Sequence, residues 1–379
     1  MHRALFVLEV LREIFLHIPL HCWRSRSDSR KSLAALARTC RTFYDPAMDL
    51  LWADMDKLEP LLGCVTRLHP LIYDSDEYFR IHWSRGVEPL SEYEARQFLR
   101  HAARVRSLWF GYTIHHIHLL SVFPIETCVF PRLQSLTWHV IPTTKHLHLF
   151  LSPMLRRCNV NMSSDLKSIA TRCANLESLS IGPYSCDTVM ERDLPVLCET
   201  VRSCNRIIKL SCPLLDSAVW KHFSSLPTLV TLTISGEGPN GLLDRDNLDF
   251  APFLNLAALS FRFPPSRFFP AANILTVMQH SKFPSLKEFE LRDSGSGSPW
   301  SEEQAEQFFR ALSQFKAQTL ENIAISFHSK HQDNPLIAIS HFLCFTQLRR
   351  LQLSVHGSVY LDNDLFKLCR VGRTLNLWN

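Results

Sequence analysis

The chain has almost no surplus of charge. Across 379 residues Lys and Arg number 41 against 36 Asp and Glu, a formal net charge of +5. That excess is small and dispersed, so nucleic acid is not the expected partner. Long apolar runs are also missing: none reaches the roughly 20 residues needed to cross a bilayer. The N-terminus, MHRALFVLEVLREIFLHIPL, is broken by Glu9, Arg12 and Glu13 before the apolar core of a signal peptide can form. No membrane partner is expected, and the expected location is the cytoplasm or nucleus. Among 12 cysteines no C-x-x-C pair occurs, and most sit beside leucines or at the ends of apolar segments. They read as reduced, mostly buried thiols of an intracellular protein. The sequon at Asn161-Met162-Ser163 reads as unused.

Catalytic signatures are lacking as well. There is no H-E-x-x-H, no G-x-S-x-G and no P-loop, so local sequence assembles no nucleophile, base and orienting partner, and an enzyme is not expected. GEGPNG at 236–241 follows the strand-like LVTLTIS but precedes LLDRDNLDFAPF, and no acidic residue stands about 20 positions on where a ribose would need one. A repeat loop using glycine's turn freedom is the better reading than a dinucleotide loop. The histidines of HHIH (115, 116, 118) and KHLH (146, 148) have no carboxylate or cysteine at ligand spacing, so they read as solvated or strand-edge groups and not as a metal site. No cofactor is expected. RSRSDSRK reads as a solvated loop, with a phosphorylatable or nuclear-import patch as the alternative.

What is present is size, apolarity and repetition. At 379 residues, 46% of them hydrophobic, the chain exceeds what one core comfortably serves and calls for several domains or an elongated array. The stretches FPRLQSLTW (130), LPTLVTLTI (226) and FPSLKEFEL (283) share one form. Relaxed to apolar-x-x-apolar-x-apolar, it recurs with first positions Val105, Leu133, Leu155, Leu176, Ile207, Leu229, Leu256, Leu286, Leu320 and Leu348, at a mean spacing of (348 − 105)/9 = 27 residues. Most matches follow a helix-like segment, such as SEEQAEQFFRALSQF before Leu320. Strand, loop and helix therefore alternate, and no single unit can bury both its strand face and its helix face without a stacked neighbour.

This pattern resembles leucine-rich repeats, which implies an α/β solenoid with a curved parallel sheet and outer helices. About ten irregular units over 105–379 are expected, without the usual asparagine after the strand. Strand alternation sends the residues between the leucines to the solvent side. That places Trp109, Thr137, His139, Arg157, Lys209, Thr231, Arg262, Glu288, Glu290, Arg292, Arg350 and Gln352 there, together with Ser107, Asn159 and Thr233, as a candidate target-binding face. The ending VGRTLNLWN reads as a helix and a strand with no capping unit, so an exposed last strand edge is expected.

Residues 1–52 are different. LFVLEVLREIFLHI sets Leu8, Leu11, Phe15 and Ile18 on one helical stripe, widened by Val7, Val10 and Ile14. A basic loop follows. Ser32 is then a candidate N-cap for a helix carrying Leu33, Leu36, Ala37, Cys40 and Phe43 on one face, and Asp45-Pro46 is its stop. Leu50, Leu51 and Trp52 come next. So much apolar surface in about 50 residues needs a partner or the rest of the chain.

LEVLREIF followed by SLAALARTCRTFYDPAMDLLW resembles the F-box of fungal proteins, with Phe6-Val7 where that family has Leu-Pro and a longer basic insertion at 24–31. The resemblance implies an all-α F-box-like domain at 1–52, a helical linker or cap at 53–104 and then the array. It also implies docking onto the small adaptor subunit of a cullin-RING ubiquitin ligase through Leu8, Val10, Leu11, Ile14, Phe15, Leu33, Leu36, Cys40, Phe43 and Trp52, while the repeats hold an unknown target protein. The alternative is a repeat scaffold outside any ligase, whose first helices only cap the array.

Overall fold

A computed structural model describes residues 7–17, 26–73, 83–111, 116–139, 146–161, 166–182, 194–213, 215–235, 250–263, 271–293, 302–313, 319–326, 342, 345–354 and 358–361. The chain divides into two compact units, the first made of 1–160 with 171–175 and the second of 161–170 with 176–379.

The first unit starts with three helices, α1 (Leu8–Leu16), α2 (Arg26–Thr39) and α3 (Arg41–Leu51). Two boundaries differ from the sequence reading. The basic insertion is helical from Arg26 onward, so Ser32 is no cap: its hydroxyl donates back to the Asp28 carbonyl at 2.9 Å, inside α2. Asp28 in the first turn complements the helix dipole and pairs with Lys31 at 3.3 Å. The break falls at Cys40, whose φ of −157° and ψ of 161° are extended, and Pro46 is carried inside α3. Pro46 forfeits a helix hydrogen bond there, but it is buried, and Ala47 beside it joins Leu11, Phe15, Leu33 and Ala37 in the core of the three helices. The Phe43 ring meets Phe15 edge-on, with centroids 5.6 Å apart.

Next come β1 (Asp54–Met55), α4 (Glu59–Leu62), α5 (His69–Tyr73), α6 (Glu92–Ala102), β2 (Ser107–Phe110), β3 (Ser135–Trp138) and β4 (Arg157–Asn161). β1 to β4 pair in parallel in chain order. The sheet thus begins at Asp54, in the stretch read as linker. In place of α-helices, the 3₁₀ turns Ile117–Leu120 and Leu147–Phe150 lie between β2, β3 and β4. A four-residue turn offers few side chains, and aromatic rings fill the interior beside it. Phe150 packs against Phe110, Phe130 and Trp138 at centroid distances of 5.3, 5.1 and 4.9 Å.

The second unit contains α7 (Leu166–Arg172, whose last two residues belong to the first unit), β5 (Ser178–Gly182), α8 (Leu194–Ser203), β6 (Lys209–Cys212), α9 (Ser217–Ser225) and β7 (Thr231–Ser235). It continues with β8 (Ala258–Phe263), α10 (Ala271–His280), β9 (Glu288–Asp293), α11 (Glu302–Ser313), β10 (Asn322–Ser326), β11 (Arg350–Ser354) and β12 (Ser358–Leu361). β5 to β11 pair in parallel in chain order. β12 turns back antiparallel on β11, with Leu351 opposite Leu361. The open strand edge expected at the segment VGRTLNLWN lies outside the described residues.

The repeat pattern maps directly onto this architecture. Each strand from β2 to β11 begins two residues after one of the ten first positions. All three apolar positions of all ten repeats are at most 3% exposed, from Val105, Leu108 and Phe110 to Leu348, Leu351 and Leu353. The fold is an α/β solenoid of leucine-rich-repeat type, and its strands are held in step by two recurring devices. One carbonyl just after each first position accepts both N–H groups entering the next strand: Val230 O, for example, accepts from Ala257 and Ala258 at 2.8 and 3.1 Å. In addition, the polar residue immediately before the first position reaches back to a backbone carbonyl of the preceding repeat. Asn175, Thr228, Asn255, Ser285 and Thr319 donate to Pro153, Ile207, Pro227, Leu254 and Leu286 respectively. This ladder stands where the sequence lacks the usual asparagine.

Candidate protein-interaction surfaces

The three N-terminal helices divide the ten residues of the F-box resemblance. Leu11, Phe15 and Leu33 are core, at 1, 3 and 0% exposure, and Leu36 and Phe43 pack against them half-buried. Cys40 is half-buried, and the Leu8 side chain lies outside the described residues. The outward apolar surface is a stripe on α1: Val7, Val10 and Ile14 at 45, 36 and 46% exposure, while Leu16, at 54%, lies on the other side of the helix. A partner would meet this stripe and not Leu11 or Phe15.

Trp52 has another job. Its ring is buried and stacks on His101 of α6 at 4.8 Å, while Arg106 and Ser107 both donate to the neighbouring Ala53 carbonyl at 2.9 Å. Trp52, with Met55 three residues on, therefore occupies in β1 the place that Val105 and Leu108 occupy in β2. It is the first anchor of the sheet. α3 is tied down further by Arg104, which donates to the Asp49 carboxylate and, at 2.7 Å, to Asp45 Oδ1. Arg132 approaches the other Asp49 oxygen at 3.8 Å. On α6, Ser91 and Glu94 form a capping box, and Arg67 adds a 2.7 Å ion pair to Glu94. Arg67 holds the Glu94 carboxyl down at about 2, against the cost of burial.

All twelve residues of the candidate target face turn to the solvent side of their strands, His139 just past the end of β3. The two units present different surfaces there. In the first, Trp109 is 52% exposed, its ring lying over Gly111, where a Cβ would come within 3.3 Å of it. Trp109, Thr137 and Asn159 form one cross-strand row, and Ser107, Ser135 and Arg157 the row before it. In the second unit Ser180, Ser211, Thr233 and Ser260 line up in register and lead to Glu290. Glu290 accepts from Ser260 at 2.8 Å and from Arg262 at 2.6 and 2.9 Å, and pairs with Arg292. Burial would raise its pKa, but these bonds outweigh it and hold the carboxyl below its ordinary value. Charges on this face are therefore partly spent on each other.

A cleft of about 320 Å³ lies in the first unit between the helices and the entering ends of the strands. Leu16, Leu50 and Leu51 form its apolar side, and Arg30, Asp54, Arg106 and Arg157 its charged side. Arg30 Nη2 donates to the Asp54 carbonyl at 2.8 Å. Among the described residues, Arg106 and Arg157 have no carboxylate partner.

No protein-family model matches the sequence, and no curated protein matches it. Among solved structures, an internalin from Listeria monocytogenes is similar at 12% identity and a TM-score of 0.32, over 76% of this chain and 69% of that one. The fold assignment rests on the strand register and the buried repeat positions.

Of the histidines, His116 departs from the solvated reading. It is 3% exposed, stacked on Trp83 at 4.4 Å, with its Nδ1 2.6 Å from the Ser84 hydroxyl and its Nε2 3.5 Å from Glu59. It joins α4 to the loops at 83–86 and 116 and is a structural group: Ser84 is buried as well. His146 and His148 stand 6.4 Å apart by ring centroid, and no group of three or more metal-ligating side chains occurs among the described residues. GEGPNG and His115 lie outside the described residues, and no described helix is long and apolar enough to cross a membrane. Among the described residues no disulfide joins the cysteines, and burial pushes the thiols of Cys64, Cys198 and Cys204 up to about 11.

Sequence reasoning missed Asp49, Arg104 and the cleft. One usable signal was present for the first two: charged residues at helical spacing, Asp45 and Asp49, on a segment otherwise read as apolar. The cleft draws on six separated segments, which no local pattern reveals.

Proposed function

We propose that this protein is the non-catalytic target-recognition subunit of a cullin-RING ubiquitin ligase, acting in the cytoplasm or nucleus. The outward stripe of α1 docks the small adaptor subunit, and the solvent face of the strands holds a target protein. The observation that supports it is the stripe itself. The three helices already close a core around Leu11, Phe15 and Leu33, yet Val7, Val10 and Ile14 remain outside it. An apolar stripe left out of a completed core needs an external partner. The solenoid supports the other half, because stacked repeats create an extended surface suited to protein binding.

The test is co-purification with the adaptor subunit. The wild-type chain should bring it down, and the double substitution Val10→Asp with Ile14→Asp should lose at least tenfold of it. Because both side chains are solvent-facing, stability should change by no more than about 0.5 kcal/mol. Substituting Leu11 would be uninformative, since it is core. No association of the wild-type chain overturns the ligase reading.

The second reading, a repeat scaffold capped by its first helices, is favoured by the Arg104 bonds to Asp45 and Asp49 and by Trp52 serving as first strand anchor. Under it, the Val10 and Ile14 double variant changes no partner at all.

A further inference from the structure

The cleft in the first unit combines three features that do not occur together elsewhere on the described surface. Its walls are of two kinds, an apolar one of Leu16, Leu50 and Leu51 and a charged one in which three arginines, Arg30 of α2 with Arg106 and Arg157, outnumber one carboxylate, Asp54 of β1. Two of its three guanidiniums, on Arg106 and Arg157, carry no ion partner among the described residues, in contrast to Arg262 and Arg292, which share Glu290. And Arg157 belongs to both the cleft and the solvent face of the sheet, so the cleft opens onto the face that carries Trp109.

We infer that this cleft receives an acidic segment of a partner protein, with Trp109 gripping an apolar side chain further along the same segment. A guanidinium binds a carboxylate through two parallel hydrogen bonds and, being weakly hydrated, is suited to a partly apolar cleft. The leucine wall takes the aliphatic stem of a glutamate or the side chain beside it. The strand register sets the spacing. Arg157 stands opposite Ser135 and Ser107, and Trp109 is two residues beyond Ser107 on a strand two away from β4. With strands about 4.8 Å apart and residues about 3.3 Å apart along them, the two side chains root roughly 12 Å from each other. An extended peptide covers that distance in three to four residues. The recognised segment is therefore an acidic residue pair followed, three or four positions later, by a large apolar side chain. An exposed tryptophan is a common energetic anchor in such contacts.

This deepens the target-binding half of the proposed function and is independent of any ligase, so its test uses the purified full chain alone. The probe is a fluorescein-labelled blocked peptide with two adjacent glutamates and a phenylalanine four positions after the first. Saturable binding at low salt is expected. It should weaken at least tenfold in Arg106→Ala with Arg157→Ala, several-fold in Trp109→Ala, and on replacing both glutamates by glutamine. Lys221→Ala, which removes an exposed charge from α9 of the other unit, outside the proposed face, should leave it unchanged. Arg157→Glu alone, at an exposed position, supplies a second variant if the double one unfolds, and should abolish binding. No saturable binding, equal binding of the glutamine peptide, or equal loss in Lys221→Ala overturns the inference. Displacement of the peptide by millimolar inorganic phosphate as effective as by the unlabelled peptide overturns it too, since the site would then be one for small anions.

Discussion

The two units solve the same packing problem in opposite ways. In the first, the outer side of the sheet carries short 3₁₀ turns, and the interior closes through a few large groups: Phe150 against three other rings, Trp52 against His101, and Asp49 between Arg104 and Arg132. In the second, α-helices supply the outer layer, aromatic contacts such as Trp220 with Phe253 and Phe253 with Phe283 are spread along it, and the polar ladder adds one small bond at several of the strands. Stability that is concentrated in a few side chains is vulnerable to single substitutions, whereas stability that is distributed over nearest-neighbour contacts is lost a little at a time.

That contrast can be broken most directly at Phe150. Phe150→Ala should destabilise the chain by about 3–5 kcal/mol in urea unfolding, the cost of deleting a buried ring that neighbours cannot replace. If Leu197→Ala in α8 of the second unit costs more, stability is not concentrated as described. Asp49→Ala comes next. It strips one carboxylate from a partly buried arginine that keeps Asp45, and a loss of about 2 kcal/mol is expected, measured as a shift in the denaturation midpoint.

Glu94 gives the first unit a pH signature. Its pKa is lowered to about 2 from an ordinary 4.5, so the folded state gains from its ionised form. That gain is present above about pH 4.5 and is lost as pH falls toward 2. Unfolding midpoints measured across this window should fall with pH, and Glu94→Gln should flatten the part due to this group. The smallest effect belongs to the second unit: Asn255→Ala removes one bond of the ladder and should cost about 1 kcal/mol. A loss as large as that of Phe150→Ala would erase the contrast.

The strands were legible because their requirement is local. Two faces of a strand alternate every residue, and a side chain that must be dry has to be apolar, so Leu229, Leu232 and Ile234 announce β7 unaided. The helices before them were less so. Pro46 reads as a stop but sits within α3, because packing around Ala47 decides that question and Cys40 supplies the break. Trp52 reads as the close of a docking motif because one apolar residue can serve a partner or a first strand, and only β1 pairing with β2 shows the strand role. The solvent face was legible as a set of positions, but the neutralisation of Glu290 and the convergence of Arg106 with Arg157 depend on strand registers. A sequence without pairing does not encode those visibly.

The polar residue ahead of five of the first positions, Asn175, Thr228, Asn255, Ser285 and Thr319, has a consequence for how such a chain tolerates change. Spacings between repeats run from 21 to 34 residues, yet the strands remain neighbours in order. Adjacent strands are always about 4.8 Å apart whatever length of chain lies between them. The ladder meters the repeats at one point, the step into the strand, and leaves the outer arc free to grow or shrink. Insertions into those arcs should therefore be absorbed where they occur, while a single residue added between Asn255 and Leu256 would part the Asn255 bond to Pro227 from the strand it sets.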